Sequence, residues 1–406
     1  MTALAPFSAT VSWQTPQPST AEVAWGLADG NPTLWIQSPV ATQHEVTLPG
    51  LVYGTAYRVW VTARSGDEEA QATIDVQTPA PAGPATGSRS GEVMLVDGQP
   101  FFPLMIWSLC PNGYQPALLV GIDLFAEDPC GGLPEQLQAL AGRALSAGVV
   151  GEQQADGPGL VGWFYEDEAD AKGAVPDALG PVPSGVSLLT LSNHFYSGAA
   201  PLPQGRAIYP GLVAKADVVG FDLYPLQEWC RPDRIVDVYS AQRELVALAP
   251  GKPTFQWIEA GPMRCGDQAP VTPEVVRAES WLAIAGGAHG LGFFPSQWQP
   301  PIAQAIAQVT RDVRALTPAL VAPAVPASAS PAALRVAARA YGGALYVVAV
   351  NPMPTAMQAT LRVPGLAGRQ LQVLDEGRTV QATGARIVDA FAPLGVHVYV
   401  AAPASP

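Results

Sequence analysis

Charged residues are scarce in this chain of 406 residues. Asp, Glu, Lys and Arg together make up 14% of it, against about a quarter in an ordinary globular domain. Hydrophobic residues make up 48%, so the chain has enough apolar side chains for packed cores and differs from disordered sequences. No apolar run reaches the roughly 18 residues that a membrane-spanning helix requires. We therefore expect folded domains and no membrane span.

Basic residues are the scarcer charged class. The chain has 21 Lys and Arg against 34 Asp and Glu, which gives a formal net charge of −13. It contains no Lys/Arg cluster, and an acidic surface repels the phosphate backbone of nucleic acids. The composition therefore predicts no nucleic-acid partner. Neutral sugars remain possible partners, because proteins bind them through aromatic faces and hydrogen bonds.

Cysteine is scarce as well. The four cysteines show neither CxxC nor any zinc-type spacing, and no Asp/His cluster indicates a metal. We predict neither a metal nor a cofactor. The segment Met1–Pro6 lacks a basic start and a long apolar stretch. We expect a secreted protein whose signal peptide is not part of this chain; the alternative is a cytosolic protein with four reduced thiols.

The first 80 residues contain short segments in which apolar and polar residues alternate. Turns rich in Gly, Pro, Asp and Asn separate them, and a period of two is typical of half-buried strands. The predicted strands are Ala9–Trp13, Ala21–Trp25, His44–Leu48, Tyr57–Ala63 and Thr73–Val76. Together they predict a small β-sandwich over residues 1–80, followed by a Pro-, Gly- and Ala-rich linker over residues 81–92.

Residues 93–318 alternate between apolar strand candidates and helix-length segments, which is typical of a parallel sheet covered by helices. The strand candidates are Phe102–Trp107, Leu118–Phe125, Gly148–Val150, Leu160–Tyr165, Val186–Ser192, Val218–Leu223, Thr254–Glu259 and Gly290–Phe294. The helix candidates include Leu133–Ala147, Ile235–Leu248, Pro273–Ala285 and Ile302–Leu316. This order predicts a (β/α)8 barrel. A doubly wound open sheet is the alternative, although neither GxGxxG nor GxxxxGK[ST] follows a strand.

A second linker, rich in Pro, Ala and Ser, is expected over residues 319–331, and alternating apolar segments follow it. The predicted strands are Leu334–Ala340, Ala344–Val350, Ala359–Val363, Leu371–Leu374 and Val396–Ala401. They predict an all-β sandwich over residues 332–406. The predicted fold is therefore a TIM barrel between two β-sandwiches.

Two predicted barrel strands are followed by, or end in, a glutamate. Glu168 follows the fourth strand and Glu259 ends the seventh, and the carboxyl ends of barrel strands form the active-site face. Glycoside hydrolysis needs one carboxyl group that protonates the leaving oxygen and a second that acts at the anomeric centre. Glu166 is a rival for the acid, and an acidic helix start is the structural alternative for Glu168.

Several segments resemble the clan A glycoside hydrolases. They are Val93–Pro103, Gly162–Ala169, Val219–Pro225 and Ala288–Phe294 with the following Trp298. The resemblance implies that Glu168 is the acid/base, that Glu259 is the nucleophile of a retaining reaction, that Tyr224 hydrogen-bonds the nucleophile and that Trp298 stacks on the sugar. Asp167 departs from the pattern, because most of that clan has Asn before the acid/base, and this leaves the substrate open.

The terminal units also carry resemblances. Leu48–Leu51 with Thr55–Tyr57 resembles the turn and the tyrosine-bearing strand of a fibronectin type III module. The segment Asp389–Tyr399 resembles the sandwich that often follows barrel glycosidases. These resemblances imply units that package the barrel or position it on its substrate.

Other residues that follow predicted strands are candidates for substrate binding: Trp107, Asp167, Asn193, His194, Asp222, Tyr224 and Trp298. Structural roles are the alternative for each of them. Of the three possible disulfide connectivities, we favour Cys110–Cys130 and Cys230–Cys265, because each pair would join neighbouring loops at the barrel mouth.

The sequence thus predicts a secreted glycoside hydrolase that cleaves an oligosaccharide or a polysaccharide. A non-catalytic carbohydrate-binding or adhesion protein is the alternative. Another barrel hydrolase such as an esterase is a third possibility, although no GxSxG is present. The sequence names neither the sugar nor the oligomeric state.

Overall fold

The computed structural model describes residues 3–404. Residues 1, 2, 405 and 406, at the outer ends of the two predicted terminal domains, lie outside the described residues. Within 3–404, no helix combines the length and the apolar character that a membrane crossing requires.

The N-terminal unit is a five-stranded antiparallel sheet. Its strands are β1 (Ala3–Ala5), β2 (Ser8–Leu27), β3 (Leu34–Leu48), β4 (Ala56–Ser65) and β5 (Glu68–Gln77). The prediction of separate strands over 9–13 and 21–25 is wrong, because both belong to β2. The pairing of β2 with β3 is interrupted between Gln14 and Ser19, where Pro16 and Pro18 lack the N–H groups that a ladder needs. β2 pairs with β1 before this interruption and with β4 after it.

A small sheet precedes the barrel. It consists of β6 (Gly87–Ser90), β7 (Val93–Val96) and β8 (Gln99–Phe101). β6 lies inside the segment 81–92 that was expected to be a linker. It contacts the barrel closely, since a Cβ at Gly87 would lie 1.9 Å from the carbonyl oxygen of Val161. Only glycine therefore fits at this point of the contact.

Eight parallel strands close into a barrel, which confirms the predicted (β/α)8 fold. They are β9 (Leu104–Trp107), β10 (Leu124–Ala126), β11 (Leu145–Val149), β12 (Leu160–Phe164), β13 (Val186–Leu191), β14 (Val218–Asp222), β15 (Thr254–Glu259) and β16 (Leu291–Phe294). Each strand pairs with the next one in sequence, and β16 pairs with β9.

The second and third barrel strands were predicted in the wrong places. The segment Leu118–Phe125 begins in helix α1 (Tyr114–Leu119), and the segment Leu133–Ala147 is helical only through α2 (Gly132–Leu140) before β11 begins. Ala141 and Gly142 have positive φ angles of 47° and 74°, which end α2. Apolar residues continue past the end of α2 into β11, so the local sequence pattern did not distinguish the helix from the strand.

The later helices cover the barrel, and all but the first of them were predicted. They are α3 (Tyr209–Lys215), α4 (Asp237–Leu248), α5 (Pro273–Gly286) and α6 (Pro300–Leu320). The Thr272 side chain caps α5 by accepting from the backbone N–H of Val275, and Gly287 ends this helix with a φ of 108°. α6 runs past Pro318, so the second predicted linker is shorter than expected. That segment also contains the short strands β17 (Ala324–Val325) and β18 (Ser328–Ser330).

Two antiparallel sheets form the C-terminal unit. The remaining strands are β19 (Arg335–Tyr341), β20 (Ala344–Val350), β21 (Met357–Arg362), β22 (Gln370–Val373), β23 (Arg378–Gln381), β24 (Arg386–Phe391) and β25 (Val396–Ala401). The sheet orders are β17-β19-β20-β25-β22-β23 and β18-β21-β24. β20 is buried along its whole length, because it also contacts α5. β23 and β24 were not predicted.

Aromatic side chains fill the barrel beneath its mouth. Trp107 packs edge-to-face on Phe164 and on Trp257, with ring centroids 5.2 and 6.0 Å apart. Two glycines make room for these rings: a Cβ at Gly220 would lie 2.1 Å from the Phe255 ring, and one at Gly292 would lie 2.0 Å from the Trp257 ring. The upper rings thus form the floor of the mouth.

Candidate active site

A cavity of about 350 Å³ opens at the carboxyl ends of the barrel strands. Residues from the ends of β9, β12, β14, β15 and β16 and from the loops that follow them line it. They are Trp107, Ser108, Asp167, Glu168, Asp222, Tyr224, Gln227, Glu228, Trp257, Met263, Arg264 and Phe294. This is the face on which barrel enzymes carry their active sites.

Four carboxylic acids line this cavity: Asp167, Glu168, Asp222 and Glu228. Asp167 and Glu168 are neighbours in sequence, and neighbouring side chains on an extended chain point in opposite directions. Glu168 has a φ of 46°, in the left-handed region, so the chain turns there and both acids face the cavity. Such backbone strain is costly and clusters at functional sites.

Burial raises the pKa values of these acids. The pKa of Glu168 rises to about 7, chiefly through burial and then through the nearby charges of Asp167 and Glu228. Burial also raises the pKa of Asp167 to about 6, and that of Asp222 well above its usual range, with the Asp167 charge adding to the effect. The cluster therefore holds at least one proton near neutral pH, which makes a proton donor available.

Tyr224 orients Asp222. Its hydroxyl donates a hydrogen bond to Oδ1 of Asp222, and this bond lowers the pKa of the Asp222 carboxyl against the effect of burial. The resemblance assigned Tyr224 to the nucleophile, and Asp222 is the carboxylate that Tyr224 contacts. Asp222 is 8% exposed, and this exposed part faces the cavity.

Glu259 does not line the cavity. It is 0% exposed, and its two carboxylate oxygens accept hydrogen bonds from the backbone N–H groups of Leu226 (3.0 Å) and Gln227 (2.7 Å). The loop after β14 crosses the end of β15, and its backbone N–H groups bind both carboxylate oxygens of Glu259. The structure therefore does not bring the predicted nucleophile together with Glu168 at the cavity, and the role implied by the resemblance is not supported.

The other predicted residues have three different placements. Trp107, Asp167, Asp222 and Tyr224 line the cavity. Asn193 and His194 line an adjoining groove instead. Trp298 lines neither, and its indole N–H donates to the carbonyl oxygen of Pro295 at 2.7 Å.

The rival acid Glu166 is exposed and forms a salt bridge with Lys172 at 3.2 Å. It is not among the residues that line the cavity. This placement favours Glu168 over Glu166 as the proton donor.

Sequence reasoning missed several lining residues: Ser108, Gln227, Glu228, Met263, Arg264 and Phe294. Trp257, which lies within β15, lines the cavity as well. Gln227 and Glu228 could have been found by reading further into the loop after β14. Met263 and Arg264 carry no local signal, because they lie in the middle of the loop after β15.

Both predicted disulfides are present, with Cα atoms 5.6 Å apart in each. Cys110–Cys130 joins the loops after β9 and β10, and Cys230–Cys265 joins the loops after β14 and β15. Gln227 reinforces the second connection, because its side-chain amide donates to Gly266 and Ala269 and accepts from the N–H of Met263. Met263 and Arg264 are thereby held beside the cavity.

No protein-family model and no curated protein matches this chain. One solved structure similar to it is a Bacteroides fragilis protein described as a candidate alpha-galactosidase/melibiase. The two chains are 13% identical, the match covers 98% of this chain and 95% of that chain, and the TM-score is 0.49. A variant of AmyP in complex with maltotriose has 9% identity, coverage of 74% and 97%, and a TM-score of 0.49. A GH30 endoxylanase from Clostridium papyrosolvens has 12% identity, coverage of 78% and 99%, and a TM-score of 0.46.

Proposed function

We propose that this protein is a glycoside hydrolase that cleaves an oligosaccharide or a polysaccharide. The observation that carries the proposal is one cavity at the barrel mouth that contains both Glu168 and Asp222 beside aromatic side chains. In this proposal Glu168 is the acid/base. Asp222, rather than Glu259, is the second carboxylate.

Glu168 supplies the proton. In this mechanism the proton that the cluster keeps near neutral pH is on Glu168, whose pKa is about 7, close to the pH at which a general acid is most effective, and Asp222 is the ionised member. Glu168 donates this proton to the glycosidic oxygen as the carbon–oxygen bond breaks. The electron pair of that bond leaves with the departing sugar.

Asp222 acts at the anomeric carbon. In its ionised form, held by the Tyr224 hydroxyl, it stabilises the positive charge that develops there. A separation of about 5–5.5 Å between the two carboxyl groups gives retention through a covalent intermediate, and about 6.5–9.5 Å gives inversion through an activated water. Retention, predicted from the sequence, stays a prediction that proton NMR of the first anomer released tests.

Aromatic side chains and Asp167 supply the sugar contacts. Trp107, Trp257 and Phe294 present ring surfaces to the cavity, and such rings stack on the apolar faces of sugars. An ionised Asp167 accepts hydrogen bonds from sugar hydroxyls. Binding of an uncharged sugar would then need no counter-charge on the protein.

We also propose three domains, over residues 1–80, 93–318 and 332–406, in an exported protein. Two disulfides favour an oxidising compartment. A fibronectin type III-like character of the N-terminal unit is supported by Tyr57, whose hydroxyl accepts from the N–H of Val52 at 2.9 Å, as in a tyrosine corner.

Substitution of the two carboxylates tests the mechanism. We expect Glu168→Gln and Asp222→Asn each to lower kcat by roughly 10²–10⁴-fold on a glycan that the wild type cleaves, measured as release of reducing ends. Glu166→Gln is the matched control, because Glu166 is exposed at the end of the same strand and should leave kcat unchanged. Wild-type rates in both Glu168→Gln and Asp222→Asn would contradict the proposal.

Two further measurements separate lost chemistry from lost folding. Glu168→Gln should recover much of its rate on aryl glycosides with good leaving groups, because these need no proton donor. Wild-type activity on ordinary glycosides should fall as the pH rises above about 7, where Glu168 loses its proton. Sugar binding without any release of reducing ends from a glycan panel would instead support the carbohydrate-binding alternative.

A further inference from the structure

A groove of about 550 Å³ adjoins the cavity. The two share Glu228 and Arg264 as lining residues, so a chain of sugar units that occupies one extends into the other. The groove is therefore placed to bind the unit next to the point of cleavage.

Positive charge is concentrated in this groove. Arg231, Arg234 and Arg264 line it, against one lining carboxylic acid, Glu228. The whole chain has only 21 Lys and Arg and a net charge of −13. Three arginines at one groove are therefore unusual for this surface and indicate a negatively charged ligand.

Arg264 is the arginine available to a ligand. Arg231 is paired with Asp233 at 2.6 Å and Arg234 with Asp237 at 2.5 Å. Among the salt bridges and side-chain hydrogen bonds of residues 3–404, none involves the exposed guanidinium of Arg264. Its five N–H donors fit a carboxylate or a sulfate in a bidentate arrangement.

The groove is preformed. Arg206 donates to the carbonyl oxygens of His194, Tyr196 and Ala199, which fixes one wall. The disulfide Cys230–Cys265 fixes the other wall directly beside Arg264. Because both walls are already ordered, binding costs little conformational entropy.

We propose that this groove is a subsite for a sugar that carries a carboxylate or a sulfate group. Arg264 binds the anionic group, and the half-buried indole of Trp229 supplies a ring for the sugar face. The inference rests on the proposed function and specifies its substrate class as acidic glycans.

The test compares the same glycan with and without its charge. One arm uses a uronate-containing polysaccharide and its carboxyl-reduced form, and the other uses a sulfated polysaccharide and its desulfated form. We expect the wild type to prefer one of the charged forms. Arg264→Gln should lower the ratio of kcat/KM on that form to kcat/KM on its neutral counterpart by roughly tenfold or more, mainly through KM on the charged form. Arg386→Gln, at an exposed arginine of β24 far from the groove, is the charge-matched control.

Binding to the inactive Glu168→Gln variant separates the two proposals. Calorimetric binding of the acidic oligosaccharide that weakens with salt and with the added Arg264→Gln change supports the subsite, even if no turnover is found for any glycan. Hydrolysis of neutral glycans with no preference for charge and no effect of Arg264→Gln would overturn the subsite and leave the hydrolase intact.

Discussion

Glu259 and Glu279 form a buried pair of acids behind the cavity. Both are 0% exposed, and among residues 3–404 neither carboxyl oxygen of Glu279 has a hydrogen-bond partner. Burial, and then the charge of Glu259, raises the pKa of Glu279 well above its usual range. Since Glu259 already accepts two backbone N–H bonds, we expect Glu279 to carry the proton of the pair. The pair fixes the loop that bears Gln227 and Glu228.

Glu279→Gln should make stability less dependent on pH. In the wild type, the folded-state pKa of Glu279 lies above the unfolded-state value, which is close to 4.5. The folded protein then keeps a proton that the unfolded chain has released, so stability falls as the pH rises from that value through the folded-state pKa. A glutamine amide does not titrate, so the variant lacks this difference in bound protons between the folded and unfolded states.

The measurement is the free energy of unfolding in urea at several pH values from about 5 to 9. We expect the wild type to lose more stability over this range than Glu279→Gln does. Glu274→Gln, at an exposed acid of the same helix, is the control and should follow the wild type. Equal losses of stability in all three proteins would refute a proton held on Glu279 in the folded state.

At the scale of elements, the contact between β15 and β16 sets the position of a cavity wall. Trp257 of β15 lies over Gly292 of β16, where a Cβ would be 2.0 Å from the ring, and the same ring lines the cavity. Gly292→Ala must therefore displace Trp257. Its ring also packs on Trp107, so the shift would spread into the barrel floor.

We expect Gly292→Ala to cost about 1–3 kcal/mol of stability, as overpacked cores do, and to lower kcat/KM. Urea unfolding and glycan hydrolysis measure the two effects. Gly83→Ala is the control, because a Cβ at Gly83 meets no atom within 4 Å. Unchanged stability in Gly292→Ala would show that the barrel relaxes around the added methyl group.

At the scale of the whole molecule, one continuous apolar cluster extends from the N-terminal sheet through the barrel to β20 and β25. Buried polar contacts join the same parts. The Thr33 hydroxyl donates to the carbonyl of Ala315 in α6, and the Tyr346 hydroxyl donates to the carbonyl of Thr33, both at 2.6 Å. Trp25 also packs edge-to-face on Tyr341. We therefore expect the three parts to unfold together.

Unfolding followed by tryptophan fluorescence and by circular dichroism should give coincident transitions. Tyr346→Phe should lower stability by about 0.5–1.5 kcal/mol through loss of one buried hydrogen bond, without splitting the transition. Tyr239→Phe, whose hydroxyl has no hydrogen bond among residues 3–404, is the matched control. Two separate transitions in the wild type would show that the terminal parts fold independently.

The sequence by itself determined the order of the domains, the barrel class and one carboxylate. Strands that are covered on both faces must be apolar throughout, so most barrel strands were visible as runs. The disulfide pairs followed from the barrel, because loops that follow neighbouring strands must lie side by side. Glu168 was predicted to lie at the mouth because it follows such a strand within four residues, and the resemblance favoured it over the nearer Glu166.

Only the tertiary structure decided which second carboxylate faces the cavity. Asp222 and Glu259 each end a barrel strand, and local alternation treats them alike. The loop after β14 donates two backbone N–H groups to Glu259 and buries it, while Tyr224 turns Asp222 toward the cavity. The contacts to Glu259 join residues more than 30 positions apart. A local pattern does not contain them, because they depend on the path that the loop takes over the closed barrel.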